Sequence, residues 1–130
     1  MTAGDLDAVN AVKARLWLDG ALAVEGRVAG EARRLFLDMH AIALRSPPTG
    51  LNRDVAPAYG RLGEIAVPTL VLWGALDFPH IQGRCRHIVA TLPNAEGHAL
   101  AEASHLPSLD LPDRITDLIC GFLDRLDRER

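Results

Sequence analysis

Apolar positions along the chain follow two regimes. Over the first sixty or so residues they recur at three- and four-residue spacing, the signature of helices with one buried face. Leu6, Val9, Val12 and Leu16 form such a stripe, with Trp17 flanking it, and predict a helix over residues 5–18. Thr2 or Asp5 can cap its start, Asp7 suits the positive end, and Asp19-Gly20 ends it. Residues 20–30 are glycine-spaced and read as a connection. A second helix is expected over 31–44, with Leu35, Met39 and Ile42 on the inward face and Phe36 and Ala43 beside them. Ser46-Pro47-Pro48-Thr49-Gly50 stops it. Residues 52–62 are weaker; Pro57 can open a short helical turn carrying Tyr59 and Leu62.

From Val67 the pattern changes. Residues 69–73 are an unbroken apolar run too short for a helix, so they read as a strand buried on both faces. Pro68 opens it, where a missing N–H is harmless, and Gly74 ends it. A helix follows over 79–91, with Ile81, Cys85, Ile88 and Val89 as its stripe, and Pro93-Asn94 breaks it. Residues 95–101 make a weaker strand, because Ala, Gly and Glu are poor strand formers. They are read as one because strand, helix and strand then make a single right-handed parallel unit. Pro112 suits the first turn of a last helix, to about residue 126, with Ile115, Leu118, Ile119, Phe122, Leu123 and Leu126 on its apolar face. The expected architecture is α/β: two parallel strands with flanking helices in residues 63–130, preceded by a helical segment, residues 1–62. No internal repeat or low-complexity stretch interrupts it.

Composition narrows the function classes. The 130 residues suffice for one core. Apolar residues make up 48% and charged residues 24%, ordinary values for a globular protein. A net charge of −3 without a basic cluster argues against nucleic acid or an anionic membrane as partner. Cys85 and Cys120 lie far apart at apolar positions of predicted helices and read as small buried residues, without zinc or redox spacing. No basic leader and no long apolar stretch is visible, so the cytoplasm is the default compartment.

The chemistry gathers at two loops. Asp77 lies three residues past Gly74, beyond the carboxyl end of the first strand, where open α/β sheets collect ligands and catalytic groups. His105 lies on a second such loop, in Ala103-Ser104-His105-Leu106-Pro107. A carboxylate that orients an imidazole, which in turn serves a hydroxyl nucleophile, is the logic of serine hydrolysis, and here the acid precedes the histidine. Each residue also has a plainer alternative. Asp77 can cap the helix that follows, and His105 can be a partly buried structural histidine. The remaining histidines do not build a metal site: His98 and His105 are separated by a strand end, and His80 and His87 lie two turns apart on one helix. His40, His80 and His87 read as surface residues or as part of the helical segment.

The runs I-A-V-P-T-L-V-L-W-G-A-L-D and S-H-L-P-S-L-D-L-P-D, with Pro93-Asn94-Ala95 between them, resemble the latter part of the α/β-hydrolase fold. The resemblance covers roughly residues 62–126. It implies that Asp77 is the acid and His105 the base of a Ser-Asp-His triad. It further implies that the first 62 residues are the end of a helical lid, and that Trp17, Phe78 and His80 contact substrate. Members cleave esters, lactones, carbon–carbon bonds, epoxides and haloalkanes without a metal or other cofactor. The departures are as informative. No G-x-S-x-G occurs, and Ser46, Ser104 and Ser108 lack the glycine setting of a nucleophile elbow. No H-G-type oxyanion segment is present, and Glu102-Ala103-Ser104 stands before His105 where relatives often carry glycine. The resemblance therefore implies a truncated or split hydrolase acting on a small-molecule substrate, inactive until a nucleophile half completes it. The alternative is a non-catalytic module that pairs with itself or with another chain.

Overall fold

A computed structural model describes residues 3–47, 50 and 57–128. The suggested Thr2 cap, the Pro48-Thr49 breaker and residues 52–56 lie outside the described residues. Helix α1 (Ala3–Lys13) runs on without a break into a π-helical stretch, Ala14–Gly20. Helix α2 is Gly30–Arg45, and a short 3-10 helix spans Ala58–Glu64. Then come strand β1 (Thr69–Gly74), helix α3 (Pro79–Thr91), strand β2 (Ala95–Leu100), the one-turn helix α4 (Pro107–Asp110) and helix α5 (Pro112–Arg128). The two strands pair in parallel, with Thr69 opposite Ala95 and Gly74 opposite Leu100. Helix α3 crosses between them and packs on both. Both strands and the helices over 31–44, 79–91 and from 112 therefore stand where the sequence pattern puts them. Among the described residues no helix is long and apolar enough to cross a membrane.

Two apolar clusters hold the chain together. In the helical segment Ala14, Leu18, Val28 and Phe36 are buried, with Trp17, Ala32 and Leu37 against them. Under the sheet Leu100, Ala103 and Ile115 are buried, with Leu72, Leu111 and Leu118 around them. Leu106 and Leu109 belong to the first cluster and Ala103 to the second, so the segment bearing His105 runs from one core into the other.

Several expected faces are turned differently. In the first helical run the buried positions are Asn10, Ala14 and Leu18, while Val12 is exposed. Small Ala14 lets α1 and α2 approach, and Asn10 is tolerated inside because its amide is fully used (below). On α2 the inward residue is Phe36, and Leu35, Met39 and Ile42 face outward. Hydropathy alone favoured the three-residue stripe; the larger ring of Phe36 fills the gap beside Ala14 and Leu18. Cys85 is half-buried and Cys120 exposed, so neither is the fully buried small residue expected. Strand β1 is only partly covered: residues 69–72 are half-buried, and full burial is reached at Trp73 and Gly74. Its partner among the described residues is β2 alone.

Gly74 is the hinge of this arrangement. A Cβ there would lie 2.2 Å from the Ser104 carbonyl oxygen and 2.3 Å from that of Ala103, well inside contact distance. Only glycine lets the chain before His105 rest against the end of β1. Gly74→Ala is therefore expected to cost at least about 3 kcal/mol in urea unfolding, by forcing two backbones apart. Gly83→Ala, in open space on α3, is expected to be neutral or stabilising by up to about 1 kcal/mol. Equal stabilities for the two variants would remove Gly74 from this role.

Candidate active site

The acid loop and the histidine loop are zipped together by backbone hydrogen bonds that carry on from the parallel ladder. The Ala75 N–H donates to Leu100 O at 2.9 Å and the Leu76 N–H to Ala103 O at 3.0 Å. These two bonds fix residues 77 and 105 across from one another. The side chain of Gln82, on the first turn of α3, reaches back to the carbonyls of Ala75 and Asp77 at 3.0 and 2.8 Å and clamps the acid loop. Asp77 is 2% exposed. Its Oδ1 accepts the Phe78 N–H at 2.7 Å, and its Oδ2 lies 2.8 Å from Nδ1 of His105. A carboxylate is an acceptor only, so Nδ1 carries the shared proton and Nε2 presents its lone pair. The His105 side chain is 36% exposed, so that lone pair belongs to a ring that solvent can reach. The plainer alternative for Asp77 finds no support in the geometry: the cap residue of α3 is Phe78, without a side-chain cap bond.

The helical segment closes over the histidine loop through the end of its first run. A helix leaves its last carbonyls without partners. Here Trp17 O accepts the His105 N–H at 3.2 Å. Leu18 O and Asp19 O accept Nη2 and Nε of Arg27, at 2.8 and 2.7 Å. Gly20 O accepts Nη1 of Arg15 and, at 3.1 Å, the Ala23 N–H. The same Arg27 guanidinium donates to Glu102 O at 2.7 Å and to the Asp110 carboxylate at 2.5 Å, just before and just after His105. Beneath it the Asp19 carboxylate is wholly buried and accepts the N–H groups of Gly26 and Val28 and Nη1 of Arg33, all within 3.0 Å. Burial pushes the Asp19 acid up, but those backbone bonds and Arg33 outweigh it and hold the acid below its ordinary value.

Beside this junction lies an open cavity of about 370 Å³, lined by Trp17, Phe36, Met39, His40, Leu106 and Leu109. The Trp17 ring stands 5.6 Å from the His105 ring and 5.8 Å from that of His40. Of the three substrate contacts that the sequence suggested, Trp17 lines this cavity. Phe78 and His80 do not: their rings pair with each other at 5.5 Å at the start of α3. His40, Asn10, Arg27 and Asp19 were missed. The one available signal was the four-residue step from Phe36 to His40, which puts both rings on the same helix face. Ser104, adjacent to His105, is 1% exposed, and its Oγ finds no partner among the described residues. It is sealed beneath Gly20 (φ +113°), where a Cβ would lie 3.0 Å from that hydroxyl and 2.7 Å from Leu76 O. Burial, followed by the Asp77 charge, pushes the Cys85 thiol up, away from thiolate reactivity. Among the described residues no group of three His, Cys, Asp or Glu side chains is placed to hold a metal ion.

No protein-family model matches the chain. Over 93 residues, 71% of its length, it is 36% identical to the 2-hydroxy-6-oxononadienedioate/2-hydroxy-6-oxononatrienedioate hydrolase of Paraburkholderia xenovorans (strain LB400), of which it spans 30%. Its structure is similar to that of MenH from S. aureus, with a TM-score of 0.60 and 25% identity, over 75% of this chain and 38% of that one. It is also similar to carboxylesterase CesB (YbfK) from Bacillus subtilis, with a TM-score of 0.58 over 92% of this chain and 44% of that one; at 18% identity this likeness is one of fold. Fold and relatives together define the class: the chain belongs to the α/β-hydrolase superfamily and holds part of its fold. It spans less than a third of the curated relative and less than half of either structure.

Asp19 offers a direct test of the junction. Asp19→Asn leaves Arg33 facing an uncharged amide and is expected to lower stability at pH 7 by about 3 kcal/mol. Because the folded-state acid is held low, its contribution is complete above its ordinary value, near pH 4, and is lost as pH falls through the folded value. The difference between the two proteins should therefore shrink as the pH is lowered from 7 to below the ordinary carboxylate value. Urea titrations at both pH values measure this; equal stabilities at pH 7 would count against it.

Proposed function

We propose that the chain supplies the acid and the base of a Ser-Asp-His hydrolase, with the serine coming from a G-x-S-x-G elbow outside its 130 residues. The observation that carries this reading is the 2.8 Å contact between His105 Nδ1 and the buried carboxylate of Asp77. In that arrangement the Nε2 lone pair takes the proton of the attacking hydroxyl and returns it to the leaving group. Asp77 fixes the tautomer and stabilises the imidazolium that forms in between. The helical segment, residues 1–62, serves as the end of a lid, and Trp17 lies on the substrate side. The substrate is a small molecule with an ester, a lactone or a carbon–carbon bond next to a carbonyl. The name of the curated relative, a hydrolase of an oxo-dienedioate, supports the carbon–carbon end of that range. Phe78 and His80 remain candidate contacts only for a substrate that reaches over the acid loop. The protein would act in the cytoplasm.

A partner completes this picture. Leu35, Met39 and Ile42 on α2 and Ile119 and Leu123 on α5 expose apolar surface, which favours association with a nucleophile-bearing chain or with a second copy. Sedimentation velocity is expected to show the chain alone as a dimer or larger species at tens of micromolar. A clean monomer with cooperative unfolding would leave the association reading without support.

The catalytic reading is tested with a fluorophosphonate probe. The 130-residue chain alone is expected to show no covalent labelling. Joined to a hydrolase fragment bearing G-x-S-x-G, it should label at that serine. Loss of the base in a comparable triad costs about 10⁶-fold in kcat and loss of the acid about 10⁴-fold. His105→Ala and Asp77→Asn are expected to fall in that order. Stoichiometric labelling of the isolated chain at Ser104 or Ser108, abolished by His105→Ala, would overturn the proposal.

A further inference from the structure

The cavity lined by Trp17, Phe36, Met39, His40, Leu106 and Leu109 is apolar apart from His40, and that ring is held in place from behind. Asn10 is 6% exposed on a helix face that otherwise carries Ala14 and Leu18. Its Nδ2 donates to Leu37 O at 2.9 Å, and its Oδ1 lies 2.9 Å from Nδ1 of His40. With the Asn10 amide nitrogen committed to a carbonyl, Oδ1 is the acceptor, so Nδ1 of His40 carries a proton. The ring is then held by Phe36, stacked at 5.4 Å, and by Trp17, edge-on at 5.8 Å. Burial and the neighbouring Lys13 ammonium keep His40 below its ordinary value, so the imidazole is neutral at pH 7. Nε2 is thus the ring's acceptor, without a hydrogen-bond partner among the described residues, on a side chain that lines the cavity. A core that only needed filling would carry an aliphatic side chain in place of Asn10.

We propose that this cavity is a binding subsite for an uncharged, one-ring apolar group bearing a hydroxyl, whose O–H donates to Nε2 of His40. The volume, about 370 Å³, sits at the small end of the range of roughly 300–1,000 Å³ for ligand pockets. A hydroxyl satisfies the one acceptor. A hydrocarbon leaves it bare. A carboxylate brings only acceptors and forfeits its hydration on entering apolar walls. Trp17 stands between this cavity and His105, so an occupant ends against the Trp17 ring, whose centroid is 5.6 Å from that of the imidazole. That the occupant is part of a substrate rests on the hydrolase reading above; that the cavity selects a hydroxyl does not.

The test is binding to the chain itself at pH 7.5, followed by the ring signals of Trp17 and His40 in two-dimensional NMR. The probes are phenol, toluene and benzoate. Phenol is expected to bind about tenfold more tightly than toluene, the worth of one hydrogen bond of about 1.4 kcal/mol, and benzoate the most weakly. His40→Phe keeps the ring and removes the acceptor, and should bring phenol and toluene level. Leu109→Trp fills the cavity and should abolish binding of both. Toluene binding as tightly as phenol to the unaltered chain, or phenol shifts that avoid Trp17 and survive Leu109→Trp, would overturn the proposal. Either result can be read from the unaltered chain and Leu109→Trp even if His40→Phe does not fold. No nucleophile takes part, so a chain that binds phenol here but never supports labelling refutes the hydrolase reading alone. The converse result refutes the subsite alone.

Discussion

The end of a helix has to be paired, and in this chain that requirement decides where the histidine sits. The run from Ala3 to Gly20 finishes in a π-helical stretch whose final carbonyls point away from their own helix. One takes the backbone N–H of His105, two take Arg27, and the last takes Arg15 and Ala23. A guanidinium offers donors in a rigid fork. Arg27 uses that fork to join the helix end to Glu102 and Asp110, on either side of His105. The pairing of one segment and the placement of the other are therefore one constraint, underpinned by the buried Asp19 carboxylate.

The apolar packing has the same logic. Neither cluster is large, and the chain passes between them at Ala103 to Leu109. A histidine on a free loop would sample many positions. Here the residues before it are packed under the sheet and the residues after it under the helical segment. What remains to His105 is its side chain, and Asp77 fixes that at Nδ1. Preorganisation of this kind lets a carboxylate and an imidazole 28 positions apart in sequence keep a hydrogen-bonded geometry.

Much of this was legible in the sequence, and the limits have physical reasons. The apolar run at 69–73 and the stripe beginning at Ile115 gave strand and helix directly, because period and length agree there. Strand β2 was readable only through its neighbours. Gly97 is a poor strand residue, yet a Cβ at that position would lie 2.5 Å from Val89 and 3.0 Å from the Trp73 ring, so packing rather than propensity selects it. The pairing of Asp77 with His105 was legible because strand ends are local features. The helix faces were not: hydropathy pointed to Val12 and to Leu35, Met39 and Ile42, and the fold buries Asn10, Ala14 and Phe36 instead. Buried polar residues such as Asn10 and Asp19 carry no apolar signal, and their partners come from elsewhere in the chain. No reading of period along a single helix could have found them.

The site and the sheet also differ in how far they depend on their surroundings. Residues 69–72 of β1 are half-buried, and Ile119 and Leu123 of the most amphipathic helix lie open. In the solved structures that the chain resembles, the matching part is less than half of the molecule. Asp77, in contrast, is buried, and the bonds that place it and His105 come from within residues 17–110: the Ala75 and Leu76 ladder bonds, the Gln82 clamp, the Phe78 N–H, the Trp17 carbonyl and the Arg27 fork. Covering the open faces would add stability roughly in proportion to the apolar area removed from water. It would not be needed to bring the carboxylate to the imidazole. The geometry of the pair is thus a local property of two loops and a helix end, and cover over the open faces would bear on how long it persists rather than on what it is.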